Sequence, residues 1–175
     1  THFGKKLFVQ GGLPEEKILV KPNFSHTPDI RITPSKDNYI LYFGRLDPLK
    51  GFDLVMKAAQ ALPEYHFVVA GDGPLKSELQ SLNISNLEYV GVLDRLRLNQ
   101  TIGNATLILF PSLWYEGMPS IIPESFAYAK PILVSNIGVI PELIRNGETG
   151  ILFQAGSLHD FIEKIRWSMN HPTEL

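Results

Sequence analysis

Between Pro111 and Glu124 the sequence places two glutamates, Glu116 and Glu124, with seven residues between them. Glu116 falls in a loop that follows an apolar run, and Glu124 falls one turn into the helical pattern that comes next. Both carboxylates can then face a ligand seated on the start of that helix, an arrangement suited to holding hydroxyls beside a phosphate. Upstream, Arg45 and Lys50 lie five apart in a second loop bounded by Gly44 and Gly51, glycines that permit a tight backbone path near a ligand. The arginine fork matches phosphate oxygens and the lysine is a mobile point charge, so the pair suits a diphosphate. If that diphosphate is a leaving group, cations fixed at its position stabilise the charge that grows as the bond breaks. Together the two loops describe a nucleotide-sugar site, with Glu116, Arg45 and Lys50 as candidate catalytic groups.

Ser120 is a suitable N-cap for the helix that bears Glu124, and Pro123 then falls in the first turn, where its missing N–H removes no intrahelical bond. The free amides around Ser120 and Ile121 would point toward a phosphate. A third loop, Gly71-Asp72-Gly73-Pro74, leads from an apolar run into a helix that Pro74 suits as a first residue. It is not the dinucleotide fingerprint, because position 76 is Lys76 rather than glycine, so NAD and FAD are not expected. No Asp-x-Asp occurs, there is no cysteine, and the five histidines, His2, His26, His66, His159 and His171, have no metal-ligand spacing. Neither a metal nor a cofactor is therefore expected, and cationic side chains would replace the metal. Trp114 and Tyr115, just before Glu116, either shape the pocket wall or belong to the core.

The elements that must hold these loops alternate in type along the chain. Apolar, β-branched runs bounded by Gly and Pro give strands at 18–20, 39–43, 66–70, 87–90, 106–110, 132–134 and 150–153. Stretches of helical period fall at 2–10, 52–62, 74–82, 94–103, 121–129, 141–145 and 157–170. This alternation predicts an α/β fold, a Rossmann-like doubly wound parallel sheet with ligands at the carboxyl ends of its strands. A length of 175 residues suits one domain that buries on the order of 70 % of its unfolded surface. The formal net charge of −2 and the scattered Lys and Arg give no footprint for nucleic acid. No apolar run approaches a membrane span, and the N-terminus lacks a signal-peptide pattern. A cytoplasmic domain is expected.

Four segments in order, Gly44-Arg45-Leu…Lys50-Gly51, Gly71-Asp72-Gly73-Pro74, Glu116-x7-Glu124 and Ile140-Pro-Glu142…Gly150, carry a resemblance. From about Lys17 to Phe153 the chain resembles the C-terminal, donor-binding domain of the retaining, GT-B-fold glycosyltransferases of family 4. The resemblance implies that Glu124 accepts the ribose hydroxyls and that Glu116 lies near the transferred sugar. Gly117 and Met118 would approach that sugar through their backbone. The loop with Gly71 and Gly73 would border the nucleotide, and the segment around Val92 would offer backbone groups to the base edge. Glu142 would start a helix.

The resemblance also divides the chain. Residues 1–28 would be the end of a preceding domain, an interdomain linker and a first strand; residues 29–175 would be the donor-binding domain, with the N-terminal acceptor domain lying outside this chain. Past His171-Pro172 family members continue into a helix that crosses back to the first domain. The implied activity is that of a metal-independent hexosyltransferase, inactive as this chain alone, whose donor is a UDP-, GDP- or ADP-sugar. The acceptor would be a glycan, lipid or small molecule, and any membrane contact would run through the other domain. A non-catalytic nucleotide-sugar-binding domain and a GT-B-fold epimerase are the alternatives.

Overall fold

The computed structural model describes residues 1–25, 32 and 38–171. Six strands, β1 (Tyr39–Phe43), β2 (His66–Ala70), β3 (Leu87–Gly91), β4 (Leu107–Phe110), β5 (Ile132–Ser135) and β6 (Ile151–Phe153), form one sheet in the order β3-β2-β1-β4-β5-β6. Every pairing is parallel. The runs of β1, β4 and β5 are buried throughout, because helices cover both faces and leave no solvated side for polar residues. The strand order reverses direction between β1 and β4, and a sheet of this kind opens its ligand crevice at the carboxyl ends of those two strands.

Alternation along β1 divides its side chains between two cores. Ile40 and Tyr42 join one face with helix α2 (Phe52–Ala61) and helix α7 (Leu158–Asn170), where Phe52 meets Tyr42 at 5.0 Å and Phe161 meets Phe153 at 4.6 Å between ring centroids. Tyr39, Leu41 and Phe43 join the other face with α4 (Arg95–Asn104), α5 (Ile121–Ala127) and α6 (Ile140–Leu143). Helix α3 (Lys76–Leu82) adds Leu79 to the first core. The N-terminal helix α1 (His2–Gln10) is capped by Thr1, whose Oγ1 accepts from the Gly4 amide at 3.2 Å. It docks on α6 through Glu142, whose two carboxylate oxygens accept the His2 and Phe3 amides, each at 2.8 Å.

Six of the seven expected strands form within a residue or two of their sequence limits. Residues 18–20 do not pair. A single 3-10 turn, Glu15–Lys17, ends with the Ile18 amide donating to the Glu15 carbonyl at 3.1 Å, and Leu19 is 90 % exposed. The run is closed by Lys21-Pro22, and the proline has no amide to give to a sheet ladder. The later part of the linker expected to end at Pro28 lies outside the described residues. Helix α5 ends two residues early, because Ala129 takes φ 51° and the amides of Ala129 and Lys130 return to the carbonyls of Phe126 and Ser125, closing the helix in a left-handed turn.

Candidate functional site

The loop after β1 is built from its own hydrogen bonds. The Gly44 amide donates to the Ala70 carbonyl at 3.0 Å, and the Tyr42 hydroxyl donates to the Arg45 carbonyl at 2.6 Å. Burial, with Asp47 and Glu116 nearby, pushes the Tyr42 phenol well up, so it remains a donor. Asp47 accepts the Leu49 amide at 2.9 Å and pairs with Arg45 Nε at 3.0 Å; these two contacts hold its carboxyl below the usual range. The turn Pro48–Lys50 closes at Gly51, which has φ 68°. A Cβ on Gly51 would run into the Pro111 carbonyl. Glycine is thus required both for the backbone conformation and for close contact with the loop after β4.

That contact brings Lys50 to Glu116. Lys50 Nζ lies 2.6 Å from Glu116 Oε1, and the Ser112 hydroxyl donates to the same oxygen at 2.8 Å. Both side chains are mostly shielded, at 33 % and 12 % exposure, so the pair feels less screening than a surface bridge. Arg45, Lys50, Glu116, Ser120 and Glu124 line one cavity of about 310 Å³, floored by Phe43 and Phe110. Phe43, Gly44 and Arg45 also wall an adjoining cavity of about 300 Å³, completed by Ala70, Gly71, Asp72, Val92, Leu93 and Leu98. Gly71, at φ 140°, packs so closely on Gly44 that a Cβ would strike the Gly44 carbonyl. The two cavities share Phe43, Gly44 and Arg45 in their walls.

The structure brings together the four charged residues and Ser120, with Gly71 and Val92 in the adjoining cavity. Ile121 also lines the first cavity, through a side chain buried in the second core. The expectation that the Ser120 hydroxyl caps α5 is not met. Ser120 already has helical backbone, φ −65° and ψ −25°, and makes no side-chain cap bond, since an N-cap hydroxyl reaches forward only from an extended residue. Gly73 lines neither cavity; it lies against the Leu46 backbone. Gly117 and Met118 turn toward the N-terminal segment. The Gly117 carbonyl accepts from Thr1 Oγ1 at 3.3 Å, and the Met118 carbonyl accepts from Asn23 Nδ2 at 2.8 Å.

Three participants escaped the sequence reading: Asp47, Ser112 and Arg95. The first two are short polar residues in loops already singled out. Arg95 stands in the Arg95-x-Arg97 pair, and only the packing of α4 beside α5 brings its Nη1 within 2.9 Å of Glu124 Oε1. Of the two aromatics before Glu116, Trp114 and Tyr115 are 55 % and 61 % exposed. Tyr115 meets Phe3 of α1 edge-on at 5.6 Å, so it is neither core nor cavity lining. Among the described residues no three His, Cys, Asp or Glu side chains converge as a metal site would need, and no helix is long and apolar enough to cross a membrane.

Comparison with known proteins gives this geometry a family. The chain is 28 % identical over 131 residues to the sulfoquinovosyl transferase SQD2 of Arabidopsis thaliana, covering 73 % of this chain and 26 % of that protein. It is 32 % identical over 130 residues to the D-inositol 3-phosphate glycosyltransferase of Mycobacterium leprae, covering 68 % and 30 %. Against the first curated relatives it spans between about a quarter and a half of their length. Its fold is that of HepE from Anabaena, solved with UDP-glucose, at a TM-score of 0.84 and 20 % identity over 97 % of this chain and 52 % of that one. A glycosyltransferase from Rickettsia africae gives 0.83 at 18 % identity, over 98 % and 52 %. The profile of the glycosyl transferases group 1 matches residues 26–175; the chain belongs to that family, with a doubly wound α/β fold shared with GT-B glycosyltransferases.

Proposed function

We propose that this chain is the donor-binding, C-terminal half of a retaining, metal-independent hexosyltransferase of family 4, acting from a nucleoside-diphosphate sugar. The observation that carries the reading is the convergence of Arg45, Lys50, Glu116 and Glu124 on one cavity at the switch point between β1 and β4. Arg45 and Lys50 take the diphosphate, Glu124 the ribose hydroxyls, and Glu116 the transferred sugar. The base lies in the adjoining cavity against Phe43, Val92, Leu93 and Leu98. In the reaction the bond from the anomeric carbon to the diphosphate oxygen breaks, a bond to the acceptor oxygen forms, and the proton of the acceptor hydroxyl passes to the departing diphosphate oxygen. Negative charge collects on the diphosphate, where the two cations stabilise it.

Within the site the charges neutralise one another. Lys50 is held by Glu116 and Arg45 by Asp47, so a diphosphate must draw each cation from a carboxylate. A lysine that swings to the leaving phosphate opens a place for a sugar hydroxyl on Glu116 Oε1, which the Ser112 hydroxyl still holds. That exchange links donor binding to exposure of the glutamate. No group among the described residues stands as a base for the acceptor, and the cleft that positions the acceptor belongs to an N-terminal domain outside this chain. Tight approach of two substrates supplies a large part of such a rate, so the chain alone binds donor without transferring it.

The test has two arms. Thermal-shift and calorimetric titration with UDP, GDP and ADP and their sugars should give saturable binding that persists in EDTA. A radiolabelled-donor assay should then show transfer only when the N-terminal domain is supplied. No binding by any of the three diphosphates overturns the donor-site reading; binding that requires a divalent cation overturns metal independence; transfer by residues 1–175 alone overturns the division into halves.

A further inference from the structure

Arg95 begins α4 where a helix favours an anion. The first turn of α4 has no acidic residue but carries Arg95 and Arg97, and the positive end of the helix dipole disfavours both. Helix stability does not account for Arg95. Its side chain reaches instead to α5, where Nη1 meets Glu124 Oε1 at 2.9 Å. Glu124 is 17 % exposed and Arg95 64 %, so an arginine on the rim grips a carboxylate set into the cavity wall. Among the described residues, no donor is recorded on Glu124 Oε2.

The polar pattern continues one turn along each helix. Asn99 follows Arg95 by four residues on the same side of α4, and Tyr128, four residues after Glu124, is the C-cap that ends α5. Among the described residues, Asn99 Oδ1 and the Tyr128 hydroxyl are buried with no hydrogen-bond partner, where buried polar atoms are nearly always paired. Burial pushes the Tyr128 phenol up, Arg95 opposes the shift and Glu124 adds to it, so the phenol lies in the field of both charges. The Tyr128 hydroxyl, at the end of α5, thus lies close to the Arg95–Glu124 pair.

We infer that Arg95 is a positioning residue for nucleotide recognition: it holds Oε1 of Glu124 and so commits Oε2 to a ribose hydroxyl at the cavity wall. This rests on the donor-site reading above. Arg95 itself need not touch the ligand. Its effect is to fix the rotamer of Glu124 before binding, so that less side-chain freedom is lost when the ribose arrives.

Calorimetric titration of the chain with UDP, GDP and ADP, each beside its 2′-deoxy counterpart and its monophosphate, tests the inference in wild type, R95A, R95K and E124Q. Wild type should prefer the ribonucleotide, and E124Q should lose that preference. R95A should reduce the preference by roughly tenfold, the size of coupling seen between contacting residues in one network, and R95K should restore most of it. The diphosphate-over-monophosphate ratio should not move in R95A. Full ribose preference in R95A overturns the inference while leaving the donor site standing. A fall in the diphosphate ratio instead makes Arg95 a phosphate ligand and also overturns it. Absence of ribose preference in wild type removes Glu124 from the ribose site, and this inference with it.

Discussion

Beside β1 the carboxyl edge of the sheet changes character. On the β4 side the cavity holds Arg45, Lys50, Glu116 and Glu124, each engaged in an ion pair. On the β2 and β3 side the wall is mostly Phe43, Ala70, Val92, Leu93 and Leu98, joined by Asp72 and by Arg45, which both cavities share, with Val92 74 % exposed. Directional charge lies where a bond would break, and non-directional apolar surface lies where a flat base would rest. The same division predicts different failures. A change on the β4 side should alter which ligand is bound, and a change on the β2 side only how tightly.

The largest expected effect comes from the glycines that set the two sides. Gly51→Val must both leave φ 68° and push into the Pro111 carbonyl, at a cost of about 2 kcal/mol or more and a Tm lowered by roughly 4–8 °C. Gly91, at φ 72°, has open space around its missing Cβ. Gly91→Ala should therefore cost only the left-handed penalty, about 1 kcal/mol. Thermal melts compare the two directly; equal losses would mean that the Gly51 to Pro111 contact does not hold the loops together.

A second large effect, on turnover rather than stability, is expected of Glu116→Ala. In a polypeptide that carries both domains it should lower turnover at least about a hundredfold, the scale of one lost electrostatic contact at a reacting centre, and change UDP, GDP or ADP affinity much less. Steady-state kinetics beside calorimetry separate the two, and a matching loss in both would make Glu116 a nucleotide ligand. Leu98→Ala, on the apolar side, should weaken diphosphate and monophosphate alike, by about 1 kcal/mol for the buried methylenes lost. A selective loss for diphosphate would erase the contrast between the sides.

The smallest effect concerns α1. Burial raises the Glu142 carboxyl, but the His2 and Phe3 amides outweigh it and bring it below its ordinary value of 4.5. The folded state then binds this proton less readily than the unfolded chain. Its contribution to holding α1 is complete above the unfolded value and is lost as pH falls through the depressed one. Protection of the His2 and Phe3 amides, taken relative to their intrinsic exchange rates at each pH, should fall on acidification below about pH 4.5, and Glu142→Gln should flatten that response. Unchanged protection down to pH 3 would contradict it.

Much of this was legible because each strand carries its own signal. The runs at 39–43 and 66–70 are apolar, β-branched or aromatic and bounded by breakers, and the ladder forms at those limits. The loops after β1 and β4 announced their charges and glycines. What stayed hidden depends on partners distant in sequence. Lys50 to Glu116 spans 66 residues and Arg95 to Glu124 spans 29, so the sequence names the charges without saying that they neutralise one another. Ser120 failed as a cap because its own backbone is already helical, a tertiary outcome that no local propensity encodes. The outward turn of Gly117 and Met118 follows from contacts with Thr1 and Asn23, nearly a hundred residues or more away.

The central claim is that the charged cavity reads a distal phosphate, and one ratio tests it most directly. UDP, GDP and ADP are titrated against their monophosphates in wild type, Lys50→Ala and Arg45→Ala. At least one diphosphate should bind wild type more tightly than its monophosphate. Each substitution should cost about 1.5–3 kcal/mol of diphosphate affinity, roughly 10- to 150-fold, with the monophosphate little changed. Equal affinity for mono- and diphosphate in wild type, unmoved by either substitution, would contradict the account.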